Sequence, residues 1–103
     1  MTAGEQLSRL AERLSDRLQV VGPRMEARGS AEADALLAAV RVVLQRLADL
    51  AADAEHRARR PVPELPGRSL GDQLLVLAHD VADLDEVTVA AGTDLLEELR
   101  AAI

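Results

Sequence analysis

Apolar residues recur every three or four positions along most of the chain, which is the spacing of one face of an α-helix. The first stripe contains seven such residues: Ala3, Leu7, Leu10, Leu14, Leu18, Val21 and Met25. It predicts helix 1 at about residues 3–21. Because Pro23 has no N–H to bond to Gln19, we expect the helix to end or kink at Gly22 and Pro23.

A second stripe predicts helix 2 at about residues 31–58. Its members keep the same three-four spacing: Leu36, Val40, Val43, Leu47, Leu50 and Ala54. Gly29 supplies a stop for the first helix, and Ser30 is the expected N-cap of the second. The basic stretch from His56 to Arg60 suits the negative end of a helix and is expected to close helix 2.

A proline-rich segment at residues 61–67 is expected to form an extended linker. Beyond it, Ser69 followed by Asp72 resembles a capping box. Two more apolar stripes predict helices 3 and 4 within about residues 70–102. A turn near residues 83–86, with Asp85 capping helix 4, separates them, and one continuous helix is the alternative.

Four amphipathic helices predict an all-α protein, an antiparallel bundle of about four helices in a single domain over residues 1–103. The bundle closes either within one chain or by pairing helical hairpins from two chains. The core contains no Phe, Tyr or Trp and is built mainly from 18 Leu, 19 Ala and 10 Val. Each of these buries less area than an aromatic ring, so we expect a second copy to contribute to stability.

Composition excludes several classes of function. The absence of Cys excludes disulfides and thiolate chemistry. The net charge is −6, and residues 70–103 carry one Arg against eight acidic side chains, which argues against nucleic acid as a partner. The longest apolar run, residues 74–78, is too short to cross a membrane, and no apolar leader is visible, so we expect a cytoplasmic protein. Lys and Asn, whose codons are AT-rich, are absent, which indicates a GC-rich, bacterial genome.

Few residues suggest chemistry at a defined site. Asp53 and His56 share a helix face in the spacing of a metal-binding pair, but no second such pair completes a site. No serine stands in a nucleophile elbow and no glycine-rich phosphate loop is present. We therefore predict no catalytic residue, no metal and no cofactor.

Charge on helix 1 suggests a docking feature. Arg9, Arg13 and Arg17 repeat every four residues and form a positive ridge beside the apolar stripe. This ridge either docks acidic helices 3 and 4, or a partner, or is a solvated face with local pairs to Glu5 and Asp16.

Helix 3 carries a second, mixed face opposite its core stripe. At 100° per residue, His79 lies about 180° from the stripe of Leu70, Leu74 and Val81. The members of this second face are Leu75, Val76, His79, Asp72 and Asp83. Apolar residues on an outward face indicate a partner surface, and these five are the predicted interaction residues.

The sequence from Ala78 to Val81 resembles the start of the H-box in histidine kinase dimerisation domains, where an exposed His followed by an acid lies on a helix of a dimeric bundle. That resemblance implies phosphotransfer at His79. Family members continue with a basic and a polar residue before proline, whereas Ala82, Asp83 and Leu84 follow here. In size and helical content the chain is also similar to the secreted WXG100 hairpins of type VII secretion, although it has no Trp for their turn.

These observations predict a small helical protein-protein interaction or adaptor module, not an enzyme. Its expected partner is a second copy, giving a homodimer, or another helical protein. A histidine phosphotransfer bundle acting through His79 and a secreted hairpin of the type VII kind are the alternatives.

Overall fold

The computed structural model describes all 103 residues and is all-helical, as the apolar stripes predict. It contains four α-helices: α1 (Ala3–Arg28), α2 (Ala31–Ala54), α3 (Leu70–Ala82) and α4 (Glu86–Ala102). α1 and α2 form one hairpin, and α3 and α4 form another. Each helix of one hairpin packs against both helices of the other. The four-helix bundle therefore closes within a single chain.

α1 runs about two turns beyond its predicted end and passes through Pro23 without stopping. Proline removes one intrahelical hydrogen bond, but burial of Met25 on the core side holds the next turn in place. Gly29 then ends α1 in the left-handed region at φ 62°, and the Ser30 hydroxyl accepts a hydrogen bond from the N–H of Ala33 at 3.1 Å. The predicted N-cap of the second helix is confirmed.

α2 ends at Ala54, about one turn before its predicted end. The cause is His56, which adopts a φ of 55° and stops the helix. The N–H groups of His56 and Arg57 then donate to the carbonyls of Asp53 and Ala52, at 3.2 and 2.8 Å, which is the Schellman ending. The basic residues expected in the last helical turn consequently lie outside it.

α3 and α4 are separate helices joined at residues 83–85. Asp85 caps α4 as predicted, because its carboxylate accepts from the N–H of Thr88 at 3.1 Å. Ser69 does not form the capping box suggested by the sequence. A 3-10 turn, Gly67–Ser69, precedes α3, and Ser69 has helical dihedral angles, so its hydroxyl is not placed to cap the helix.

Twenty buried apolar residues form one core that connects all four helices. Leu7, Leu47, Leu74 and Leu96, one from each helix, are fully buried. The core stripe predicted for helix 3 is thus confirmed at Leu74, which contributes to a core made without aromatic rings.

Small residues allow α1 to approach α3 and the 3-10 turn at backbone distance. Gly22 and Gly67 face each other, and a Cβ on Gly67 would lie 2.5 Å from the carbonyl oxygen of Gly22. Further along, a Cβ on Gly71 would lie 2.8 Å from the carbonyl oxygen of Ser15. Real side chains do not tolerate such distances, so this close contact depends on glycine. We call the contact of α1 with the 3-10 turn and α3 at these positions the glycine seam.

Candidate protein-interaction surface

Residues 57–66 form an extended strap that crosses from α2 to α3, and side chains hold it by its backbone. The Gln45 amide donates to the carbonyl of Arg60 at 3.0 Å and accepts from the N–H of Val62 at 2.8 Å. The Gln73 amide donates to the carbonyl of Pro63 at 2.9 Å. Val62 is half-buried against the core. The proline-rich segment is therefore fixed to the bundle.

Three further contacts secure the end of the strap. Arg41 donates from Nη2 to the carbonyl of Leu65 at 3.0 Å and pairs with Glu64 at 3.4 Å. Just beyond the strap, the N–H of Gly67 donates to the carboxylate of Glu26 on α1 at 2.8 Å. The strap is tied in this way to α2 and α3 and, at its end, to α1.

A groove of about 510 Å³ lies between the strap and α3, and we call it the strap groove. Its apolar lining comes from both sides and includes Val62, Leu65, Val76 and Leu77. Leu65 and Val76 are 39% and 62% exposed, values that mark them as uncovered apolar side chains. Its volume is within the range of the ligand pockets found in proteins.

The α3 outer face adjoins this groove. It consists of five exposed residues: Asp72, Val76, His79, Asp80 and Asp83. Four of the five predicted interaction residues therefore lie on one exposed surface. Leu75 differs: it is half-buried and packs against the core. It lies one turn after Gly71, on the side of α3 that faces α1.

The arginine ridge of α1 does not dock α3 or α4. Arg9 and Arg13 form no ion pair within 4.0 Å, either with those helices or with the local partners Glu5 and Asp16. Arg17 donates from Nε to the carbonyl of Ile103 at 2.7 Å, which is a contact with the chain after α4 and not with an acidic side chain. The ridge is exposed.

The pair formed by Asp53 and His56 is not arranged as a metal site. Asp53 accepts two hydrogen bonds from Arg59, at 2.9 and 2.7 Å, and that contact holds the pKa of Asp53 below its usual value. No group of three His, Cys, Asp or Glu side chains is close enough to hold a metal ion. His79 lies on the exposed α3 outer face and belongs to no such group.

Comparisons with protein-family models, curated proteins and solved structures gave no significant match. None of the four helices has both the length and the apolar composition needed to cross a membrane. Function is accordingly inferred from the geometry of the chain's own surface.

Sequence reasoning missed the strap groove because the prolines between Arg60 and Gly67 suggest a linker. Val62 and Leu65, two apolar residues among those prolines, are the signal that could have revealed packing. The partners of the strap, Gln45 and Gln73, carry no such signal, since an isolated glutamine on a helix is ordinarily solvated.

Proposed function

We propose that this chain is a small helical protein-interaction module and that it binds other protein chains, including its own copies, through the α3 outer face and the strap groove. The observation that carries the proposal is Val76, a valine 62% exposed at the point where the outer face and the groove meet. Exposed apolar side chains that are contiguous with an apolar groove are typical of association surfaces.

The rigidity of the surface supports this proposal. Three strap carbonyls and two backbone N–H groups are held by side chains of the helices, so the groove exists before a partner arrives. A preformed surface loses less conformational entropy on binding.

The test is the effect of Val76→Asp on self-association, followed by sedimentation velocity and by the concentration dependence of amide chemical shifts. We expect shifts that change with concentration to map to the α3 outer face and the strap groove. A charge placed in a desolvated contact should weaken association by about tenfold or more, which corresponds to about 1.4 kcal/mol.

Val87→Asp is the matched control, because Val87 is 79% exposed on α4 and an acid suits the first turn of a helix. This variant should associate like the parent chain. Equal association of parent and Val76→Asp, or shifts confined to other surfaces, would refute the proposal.

Phosphotransfer at His79 is the alternative function, supported by the exposure of that side chain on a helix of a four-helix bundle. Incubation of the protein with acetyl phosphate or phosphoramidate distinguishes phosphotransfer from the interaction function. The interaction proposal expects no phosphohistidine, whereas a phosphorylated product that His79→Gln abolishes would favour the alternative.

A further inference from the structure

The strap groove and the α3 outer face share an apolar centre. Leu65 and Val76 are its exposed side chains, at 39% and 62%, and Val62 and Leu77 lie half-buried in the groove. A single apolar side chain is ordinary on a surface, whereas several that line one groove are typical of a binding site. This centre can therefore receive an apolar side chain of a partner.

The surface becomes acidic towards the C-terminal end of α3. Asp80 and Asp83 lie one and two turns beyond Val76, and both are exposed. At a rise of about 1.5 Å per residue, they follow Val76 by about 6 and 10 Å along the helix axis. Neither carboxylate forms an ion pair within 4.0 Å. The chain then continues with Asp85 and Glu86, which are also exposed.

The neighbouring flank of α1 adds further negative charge. Glu5 and Glu12 line a cavity together with Asp83, so they border the same end of the surface. Arg9 is the one basic side chain in that cavity, and it forms no ion pair within 4.0 Å. We call the four carboxylates of Glu5, Glu12, Asp80 and Asp83 the acidic end.

The other end of the surface is balanced in charge. Arg68 is exposed one turn before Asp72, and Arg60 lines the groove from the strap. The carboxylate of Asp72 also accepts a hydrogen bond from the amide of Gln19 at 3.3 Å. The excess of negative charge therefore lies at the acidic end, which gives the surface a direction, from the apolar groove towards that end.

A helix fits this surface better than an extended segment does. A strand would have to pair with the backbone of the strap, but Pro61, Pro63 and Pro66 have no N–H. The N–H of Val62 is already bound by Gln45. A helix satisfies its backbone hydrogen bonds internally and needs side-chain contacts alone.

No helix of this chain has the complementary charge. The arginines of α1 stand among exposed acids, including Glu12 and Asp16. α2 combines two arginines with four acidic side chains, and residues 70–103 carry a single Arg. A helix that matches the acidic end must therefore come from a different protein.

We propose that this surface binds a basic amphipathic helix of another protein, an inference that rests on the function proposed above and names the chemistry of the partner. An apolar side chain of the partner helix enters the strap groove against Leu65 and Val76. Its lysines or arginines, one and two turns away, reach Asp80 and Asp83. The apolar contact supplies affinity, and the acidic end selects a basic partner over an acidic one.

The probe is a synthetic amidated peptide of about 18 residues, which is long enough to become helical. Leucines occupy one face of its two central turns, lysines occupy the same face in the outer turns, and alanine and glutamine fill the rest. Titration of this leucine-lysine peptide into isotope-labelled protein should shift amide resonances of the α3 outer face and the strap groove. Its affinity should fall by about tenfold or more as the ionic strength rises from about 0.05 to about 0.5 M. Shifts confined to other surfaces would refute the inference.

Two further peptides of equal length separate charge from shape. A peptide with glutamate in place of every lysine should not bind measurably, because like charges would then meet at the acidic end. A peptide of the same composition as the first, with its leucines spread around the helix, should bind at least about tenfold more weakly. Equal binding of this scrambled peptide would mean general attraction to a chain of net charge −6 and would overturn the inference.

Neutral substitutions test the assigned carboxylates. Asp80→Asn with Asp83→Asn should weaken binding of the leucine-lysine peptide by about tenfold at low ionic strength, with far-UV circular dichroism confirming the fold. Asp94→Asn with Glu98→Gln is the matched control, because it changes the net charge equally in a cleft between α2 and α4. This control removes one exposed ion pair, which contributes little to stability, and should bind like the parent chain. An equal loss of binding in the two variants would refute the role of the acidic end.

Failure of the inference is distinct from failure of the proposed function. Self-association that depends on Val76, together with no binding of the leucine-lysine peptide, would preserve the function and refute a basic partner. Tighter binding of the glutamate peptide at the same surface would have the same meaning. Val76→Ala should weaken binding of the leucine-lysine peptide several-fold, and unchanged binding by this variant would exclude the groove as the docking site.

Discussion

A single methyl group at Gly22 tests the glycine seam that joins α1 to the strap and α3. A Cβ at this position overlaps the carbonyl oxygen of Gly67 and lies 3.1 Å from its carbonyl carbon. Both atoms belong to the backbone, so no side-chain rotation relieves the overlap. The 3-10 turn must move away from α1, and the hydrogen bond from the N–H of Gly67 to the carboxylate of Glu26 must lengthen.

The expected cost follows from two opposing effects. Overpacking of a close contact costs about 1–3 kcal/mol, and contact with backbone argues for the upper part of that range. Replacing glycine by alanine within a helix raises the free energy of unfolding by up to about 1 kcal/mol, because alanine has the higher helix propensity. The net loss for Gly22→Ala should therefore be about 2 kcal/mol, which for a chain of this size lowers the Tm by about 8–16 °C.

Thermal and urea unfolding followed by circular dichroism at 222 nm measures this loss, since the chain has no aromatic residue for fluorescence. Val20→Ala is the control: it gains helix propensity on an exposed side of α1 and should leave the Tm unchanged or slightly higher. If Gly22→Ala raised the Tm in the same way, the close approach of α1 to Gly67 would be refuted.

A double-mutant cycle sharpens the result. Gly22→Ala and Gly67→Ala disturb one contact from its two sides, so their combined effect should be smaller than the sum of the single effects. Gly22→Ala and Gly4→Ala act about 27 Å apart along α1 and should be additive.

Three further changes test the caps and the strap. Ser30→Ala should cost about 1 kcal/mol because its hydroxyl caps α2, whereas Ser69→Ala, which removes no cap, should cost less than about 0.5 kcal/mol in urea unfolding. The pKa of Asp85 lies below its ordinary value, first because the Thr88 hydroxyl donates to its carboxylate. The stability gained in this way is present at pH values above the ordinary pKa and is lost as the pH falls through the pKa of the folded state. The Tm should thus fall below about pH 4, and less steeply in Asp85→Asn. Gln45→Ala should release the strap, raising hydrogen exchange at the N–H of Val62 by about tenfold or more while core amides stay protected.

Most of the fold could be predicted because the apolar stripes carry helical periodicity along most of the chain. The predicted helix ends differ from those in the structure where a local sequence signal conflicts with tertiary packing. Pro23 suggests an end to helix 1, yet burial of Met25 outweighs the lost hydrogen bond. The left-handed conformation of His56 could not be read from the sequence, because only a few per cent of non-glycine residues adopt it, even though histidine does so more often than most.

The surface was predictable in part. Helical geometry alone placed Val76 and His79 opposite the core stripe, and both are exposed. Leu75 could not be placed in the same way, because the width of the buried side depends on how closely α1 approaches. That distance is set by Gly71 and its contact with Ser15, a tertiary contact that no local pattern reveals.

The way in which the strap is held has a consequence for recognition. Gln45, Gln73 and Arg41 bind the strap mainly through its backbone, and two strap side chains add contacts, because Glu64 pairs with Arg41 and Val62 packs against the core. Leu65 is held through its carbonyl, so its side chain can help to define the shape of the groove without being needed to hold the strap in place. A substitution at Leu65 should alter which partner fits while the bundle and the strap keep their geometry. At Leu65, the carbonyl thus positions the strap and the side chain is left to contact a partner, an arrangement suited to an interaction surface.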